Sequence, residues 1–283
     1  MSAFVYFHHQ GINSKINKKI IEKYLSSRYC KKIMPWCIAA KKSLENAIDI
    51  SKFEDKIVVV YPAIHKMESV KTKNDRVNLL FIGRYFQRKG GLETLKSFEI
   101  LAKKYDVALT IVSNIPSYII KKYKDFNNIY FYGLLPREVL FEKYFPQSDI
   151  LVFPTQYDTF GMVFLEAMAF ALPIVSLYNF ATPEIIENGK NGYLIKPYSK
   201  LWFGEDYLLH PKWGDWNVLK TVLSKNEQNR IVKDLVEKLA ILIEDDSLRR
   251  KMGENSSKMI ESGKFSITER NKKLERIYKE AIE

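Results

Sequence analysis

Cysteine is scarce: Cys30 and Cys37 are the only two in 283 residues. Without C-x-x-C spacing or a paired histidine cluster, they give no disulfide framework and no zinc site. Two buried or idle thiols fit a reducing compartment, so the chain is expected to be cytoplasmic, or peripheral at the inner membrane face. Long apolar runs are also missing. None approaches the roughly 20 residues that a membrane-spanning helix needs. The run Ala3–Phe7 is too short for a signal peptide and has no basic flank before it. There is no internal repeat and no low-complexity segment.

What remains is ordinary globular composition, 46% hydrophobic and 28% charged, enough for sizeable cores at about two domains' length. Acidic residues are the minority charge, 33 against 45 lysines and arginines, a formal +12. That balance suits phosphorylated small molecules, an anionic membrane face or nucleic acid. Nucleic acid is not expected, because no basic stripe with interleaved aromatics accompanies the charge. Much of the excess sits on helical lysines, for which a solvated face is the simpler reading.

Short β-branched runs alternate with helical stretches, the pattern of an α/β protein with a parallel sheet. Before residue 70 the pattern predicts strands at Ala3–Phe7, Lys32–Trp36 and Ile57–Tyr61, with helices near Ile16–Leu25 and Ala39–Ala47. Residues 66–76 read as a linker between a partial N-terminal domain, 1–65, and a second domain, 77–263. Six strands are predicted there: Val77–Ile82, Val107–Val112, Ile129–Tyr132, Ile150–Phe153, Ile174–Ser176 and Tyr193–Ile195. This is the content of a Rossmann-like sheet with helices on both faces. Residues 197–225 hold Trp202, Trp213 and Trp216 and read as an aromatic excursion packed on the surface, or as a lipid or acceptor contact. Val232, Leu235, Val236, Leu239 and Ile243 form a helical stripe. Ser266 and Glu269 read as a capping box opening a last helix, 264–283, that crosses back to the N-terminal part.

Two segments carry chemistry. In Phe81–Gly90, Gly83 lets the backbone turn or a ligand approach. Arg84 and Lys89 follow at the carboxyl edge of the sheet, as phosphate ligands or as an ordinary charged loop. In Asp149–Pro173, an apolar strand ends at Pro154 and Gly161 opens an apolar helix whose N–H groups would face an anion. Glu166 on that helix would accept hydrogen bonds from a ribose, or would pair with a lysine.

Together these segments resemble the donor half of glycosyltransferase family 4, the retaining family of GT-B fold. The matching positions are Gly83-Arg84, Lys89-Gly90, Asp158-Thr-Phe-Gly161, Leu165-Glu166-Ala-Met-Ala169, Pro183-Glu184-Ile and Asn191-Gly192. The resemblance implies an α/β protein of GT-B type with an incomplete N-terminal domain. It implies transfer of a sugar from a nucleotide-diphosphate donor to a glycan or lipid-linked acceptor, with retained configuration and without a metal or other cofactor. Arg84 and Lys89 would hold the diphosphate, and Asp158 would lie near the donor sugar. Gly83, Thr159, Phe160, Gly161, Met162 and Glu166 would line the nucleotide site. His8, with His9 beside it, resembles the family's acceptor-side histidine. Asp158 is one methylene shorter than the family's Glu. Ala171 replaces a usual Gly, a change expected only to tighten packing. The family's early strands and first glycine-rich loop have no counterpart, which suggests a half encoded elsewhere, a start placed too late or a reduced domain. The alternative is a non-catalytic or half-enzyme subunit that needs a partner chain; a second copy of this chain is also admitted.

Overall fold

The computed structural model describes residues 15–67, 75–198, 202–203, 208–209 and 224–282. Strand Ala3–Phe7, His8, His9, His210 and most of the linker and aromatic stretch lie outside the described residues.

The centre is a six-stranded parallel sheet. Its strands are β1 (Val77–Tyr85), β2 (Val107–Asn114), β3 (Ile129–Tyr132), β4 (Ile150–Phe153), β5 (Ile174–Leu177) and β6 (Gly192–Ile195). The spatial order is β3-β2-β1-β4-β5-β6, all neighbours parallel. The chain moves outward from β1 to β3, then returns to the other side of β1 with β4. That reversal makes a doubly wound α/β sheet and opens a crevice at the carboxyl ends of β1 and β4. Strands β4 and β5 are buried at every position, so they read as continuous apolar runs rather than alternations. Fold class is as the sequence led one to expect.

The helices in chain order are α1 (Lys15–Ser26), α2 (Ile38–Ala47), α3 (Gly91–Leu101), α4 (Ser117–Lys122), α5 (Arg137–Val139, continued by one π-helical turn to Tyr144), α6 (Met162–Ala169), α7 (Thr182–Ile185), α8 (Lys225–Glu244), α9 (Asp246–Glu261) and α10 (Ile267–Ile282). Helix α8 starts at a complete capping box between Ser224 and Glu227. It buries Ile231, Val232, Leu235, Leu239 and Leu242 against α3 and the sheet. Val236 and Ile243, expected in that stripe, are only partly buried, so the buried face is turned slightly from the one expected.

Two predicted strands do not form. Lys32–Trp36 and Ile57–Tyr61 pair with each other through one parallel bridge, Ile33 to Ile57. Pro35 explains why the ladder stops: it accepts from Val60 N at 2.9 Å but has no N–H to return. The capping box expected at Ser266 is also incomplete. Ser266 N already donates to Gly263 O at 3.0 Å, and the Glu269 carboxylate pairs with Lys272 at 2.9 Å instead. Between residues 197 and 225, the described pieces are two short antiparallel strands, β7 (Trp202–Phe203) and β8 (Leu208–Leu209).

Residues 15–67 pack on the sheet domain through α7, α10 and the turn just before α10. Lys32 bridges Glu280 at 2.8 Å, and Tyr61 stacks edge-on against Phe265 with centroids 5.6 Å apart. A small second core of Leu44, Ile48, Phe53 and Ile57 holds this part together.

Candidate active site

The crevice between β1 and β4 brings the two segments singled out in the sequence face to face. Gly83 stands near the end of β1, where a Cβ would meet the Phe153 ring at 2.9 Å and the Lys89 stem at 3.0 Å. Gly90 has φ +83°, and a Cβ there would lie 2.3 Å from the Pro154 carbonyl oxygen. Only glycine lets the turn before α3 lie against the loop after β4.

Lys89 is the pivot of that contact. Its Nζ donates to Asp158 Oδ2 at 2.7 Å and to Tyr157 O at 2.8 Å. The side chains of this pair are 15% and 20% exposed, so the pair is sheltered from water yet still reachable. The ammonium also faces the Phe153 ring at 5.7 Å. An ammonium has three donors, and the two hydrogen bonds occupy two of them. Burial, reinforced by Asp158, holds the neighbouring Tyr157 phenol protonated well above its usual range.

Arg84 lines an adjoining cavity of about 410 Å³ with Arg88, Gln87, Asn114 and Pro116. Arg84 is exposed. Sequence reasoning missed Arg88, although it lies in the same short loop. Its guanidinium lies 5.3 Å from the Tyr85 ring centre, and its carbonyl accepts from Gln156 N at 3.1 Å. The cavity therefore has two cations in its wall and the ends of β1 and β2 behind it.

Gly161, at φ +85°, caps the start of α6, where a Cβ would strike the Phe164 ring at 2.5 Å. No side chain among the described residues caps this end, so a helix N-terminus opens toward the crevice. Glu166, in the second turn of α6, is 14% exposed and accepts from Arg137 Nε at 2.9 Å. Burial pushes its pKa up, and Arg137 pulls it partly back. Besides a ribose, the sequence allowed Glu166 a lysine partner; the partner found is an arginine 29 residues away, just past β3. Its signal was Pro136-Arg137 after a predicted strand, at the same sheet edge.

Phe160 is not where a ligand-contacting side chain would be. It is 2% exposed and wedged between Trp36 and Phe265, with centroids at 6.4 and 6.3 Å. Only its main chain remains for a ligand. Thr159 and Met162 are half-buried beside it, and Thr159 O lies 3.9 Å from Cys37 Sγ. Burial, with Glu184 nearby, pushes the Cys37 thiol up to about 12. His65 is exposed, and among the described residues no cluster of three His, Cys, Asp or Glu could hold a metal.

Ala171 is one of two non-glycine residues at positive φ, 54°, among those described. The position has the left-handed backbone that glycine adopts freely, so an alanine there bears on backbone strain and not on packing alone.

The family model for glycosyl transferases group 1 matches residues 64–203, the span that contains this crevice. Over that span, just under half of the chain, it is similar to the group 1 glycosyltransferases. The capsular polysaccharide biosynthesis glycosyltransferase CapM of Staphylococcus aureus is 25% identical over 240 residues, covering 82% of this chain and 52% of CapM. An uncharacterized 41.2 kDa protein in the cps region of Klebsiella pneumoniae is 28% identical over 175 residues, covering 56% of this chain and 47% of that one. The chain thus spans about half the length of the curated relatives it matches. In fold it is similar to Anabaena HepE, with TM-score 0.66, 15% identity and coverage of 94% of this chain and 67% of HepE. A Rickettsia africae glycosyltransferase gives TM-score 0.67 at 20% identity, covering 93% and 67%. Among the described residues, no helix is long and apolar enough to cross a membrane.

Proposed function

We infer that this protein moves a sugar from a nucleotide-diphosphate donor to a glycan or lipid-linked acceptor, with retained anomeric configuration and no metal. The observation that carries the reading is the Lys89–Asp158 pair at the reversal point of the sheet, beside the open start of α6. A diphosphate leaving group needs positive charge where its own negative charge develops. Arg84 offers a two-pronged guanidinium, Lys89 offers its remaining donor, and the α6 N–H groups add a dipole. Glu166, held by Arg137 in the second turn of that helix, is set to accept from both ribose hydroxyls.

Asp158, neutralised by Lys89, is a poor nucleophile and suits hydrogen bonding to the sugar. That favours a route in which the acceptor attacks from the face the diphosphate leaves. Positioning and leaving-group stabilisation then supply the rate.

HepE has been solved in complex with UDP and glucose, which makes UDP the first nucleotide to try. The test is thermal unfolding of wild type and Glu166→Ala with UDP, GDP and ADP in turn. A ligand at a hundredfold excess over Kd adds about 2.7 kcal/mol. A rise in Tm with one nucleotide, lost in Glu166→Ala, is the expected result. No rise with any of them contradicts the donor site.

A further inference from the structure

A second cavity, about 390 Å³, shares no lining residue with the cavity beside Arg84. It lies between the segment ending at Tyr61 and the first turns of α10. Five of its lining side chains are cations, Lys264, Arg270, Lys272, Lys273 and Arg276, against one carboxylate, Glu269. That carboxylate is already bound to Lys272 at 2.9 Å.

The other cations are poorly compensated. Arg270 has a buried Nε with no hydrogen-bond partner among the described residues, and its NH2 makes one long bond, to Asn271 Oδ1 at 3.3 Å. Lys273 has no ion-pair partner among the described residues. Lys264 donates to the Glu184 carbonyl and lies over the rings of Tyr61 and Phe265, at 5.9 and 5.1 Å. The carboxylate beside Arg276, Glu280, is taken by Lys32 at 2.8 Å.

The arrangement works against α10 itself. Arg270 stands one turn from the helix start, where the dipole disfavours a cation. Arg270 and Lys273, Lys273 and Arg276, and Lys272 and Arg276 are like charges at separations of three and four, which repel. An anion in the cavity removes both penalties at once. Two guanidinium groups lining one open cavity suit phosphate oxygens in geometry as well as in charge.

We propose that this cavity binds a phosphate-bearing anion, through Arg270 and Arg276 with the lysines around them. The volume holds a phosphate or diphosphate group with part of whatever carries it. The carrier is either a small molecule in solution or a lipid headgroup, and the chemistry of recognition is the same. The inference stands on this cavity alone and does not depend on the donor reading.

The test is calorimetric titration of the full chain with inorganic pyrophosphate, alongside co-sedimentation with phosphatidylcholine vesicles with and without phosphatidylglycerol. Four proteins are compared: wild type, Arg84→Ala, Arg270→Ala and the exposed reversal Arg276→Glu, which spares the packing if Arg270→Ala fails to fold. Binding that survives Arg84→Ala and weakens about tenfold or more in the two cavity variants supports the proposal. If pyrophosphate shows that pattern, the carrier is soluble; if only the anionic vesicles show it, the carrier is a lipid. Binding of neither by wild type, or binding indifferent to both cavity variants, overturns the proposal.

Discussion

Glu184 clamps α2 through its two carboxylate oxygens: Oε2 accepts from Ile38 N and Oε1 from Ala39 N, each at 2.7 Å. The same Oε2 takes the Tyr61 hydroxyl at 2.7 Å. One side chain from α7, the short helix after β5, therefore fastens both the first turn of α2 and the end of the segment that leads into the sheet domain. A carboxylate at a helix start satisfies orphan donors and meets the positive end of the dipole. Cys37 caps the same turn through its sulfur, which accepts from Ala40 N at 3.3 Å.

Replacing Glu184 by Ala leaves those donors without their partner. Removing a helix cap costs about 0.5–2 kcal/mol, and the Tyr61 bond adds to it. Glu184→Ala is therefore expected to destabilise the protein by about 2 kcal/mol in urea unfolding, with Glu184→Gln intermediate. Equal stability of wild type and Glu184→Ala refutes the clamp.

Glu166 makes stability depend on pH in a defined direction. Burial raises its folded pKa, so its contribution is complete below the unfolded carboxylate value and is lost as pH rises through the folded value. Arg137 offsets part of that loss by favouring the ionised form. Arg137→Ala should leave stability near pH 4 almost unchanged and lower it at pH 7, by about 1 kcal/mol for a half-exposed partner. Urea midpoints at the two pH values check this, and an equal loss at both contradicts it.

Ala171 at φ 54° carries a cost that glycine would not. Left-handed backbone is unfavourable for an L-residue by about 1–2 kcal/mol, and part of the gain on replacing it is offset by the greater unfolded entropy of glycine. Ala171→Gly is expected to raise stability by up to about 1 kcal/mol, a Tm gain of about 2 °C at this size. A fall in Tm means the Ala171 methyl packs more usefully than its backbone strains.

The sheet could be read from the sequence because its strands are short, apolar and separated by helical periods. Ile129–Tyr132 and Ile150–Phe153 are found with the predicted bounds. Lys32–Trp36 and Ile57–Tyr61 have the same local composition, yet make one bridge, because pairing is settled by neighbours and by Pro35. The site divides along a similar line. Glycine positions such as Gly83, Gly90 and Gly161 announce close approach or positive φ, and those constraints are local. The Arg137–Glu166 pair and the Tyr61–Glu184 bond join residues 29 and 123 positions apart, which spacing does not reveal. Phe160 shows the converse: the ring of a motif position expected to line the nucleotide site is a core wedge between Trp36 and Phe265, which leaves its main chain for a ligand.

The most direct measurement of the central claim is sugar transfer from UDP-glucose and related donors by wild type, Arg84→Ala and Lys89→Ala, with the product anomer read by NMR. The account predicts a product that keeps the donor's configuration. It also predicts that each variant falls by about 10²–10³-fold in kcat, the scale of removing one charge-stabilising donor from a transition state. Full activity in both variants, or an inverted product, contradicts it.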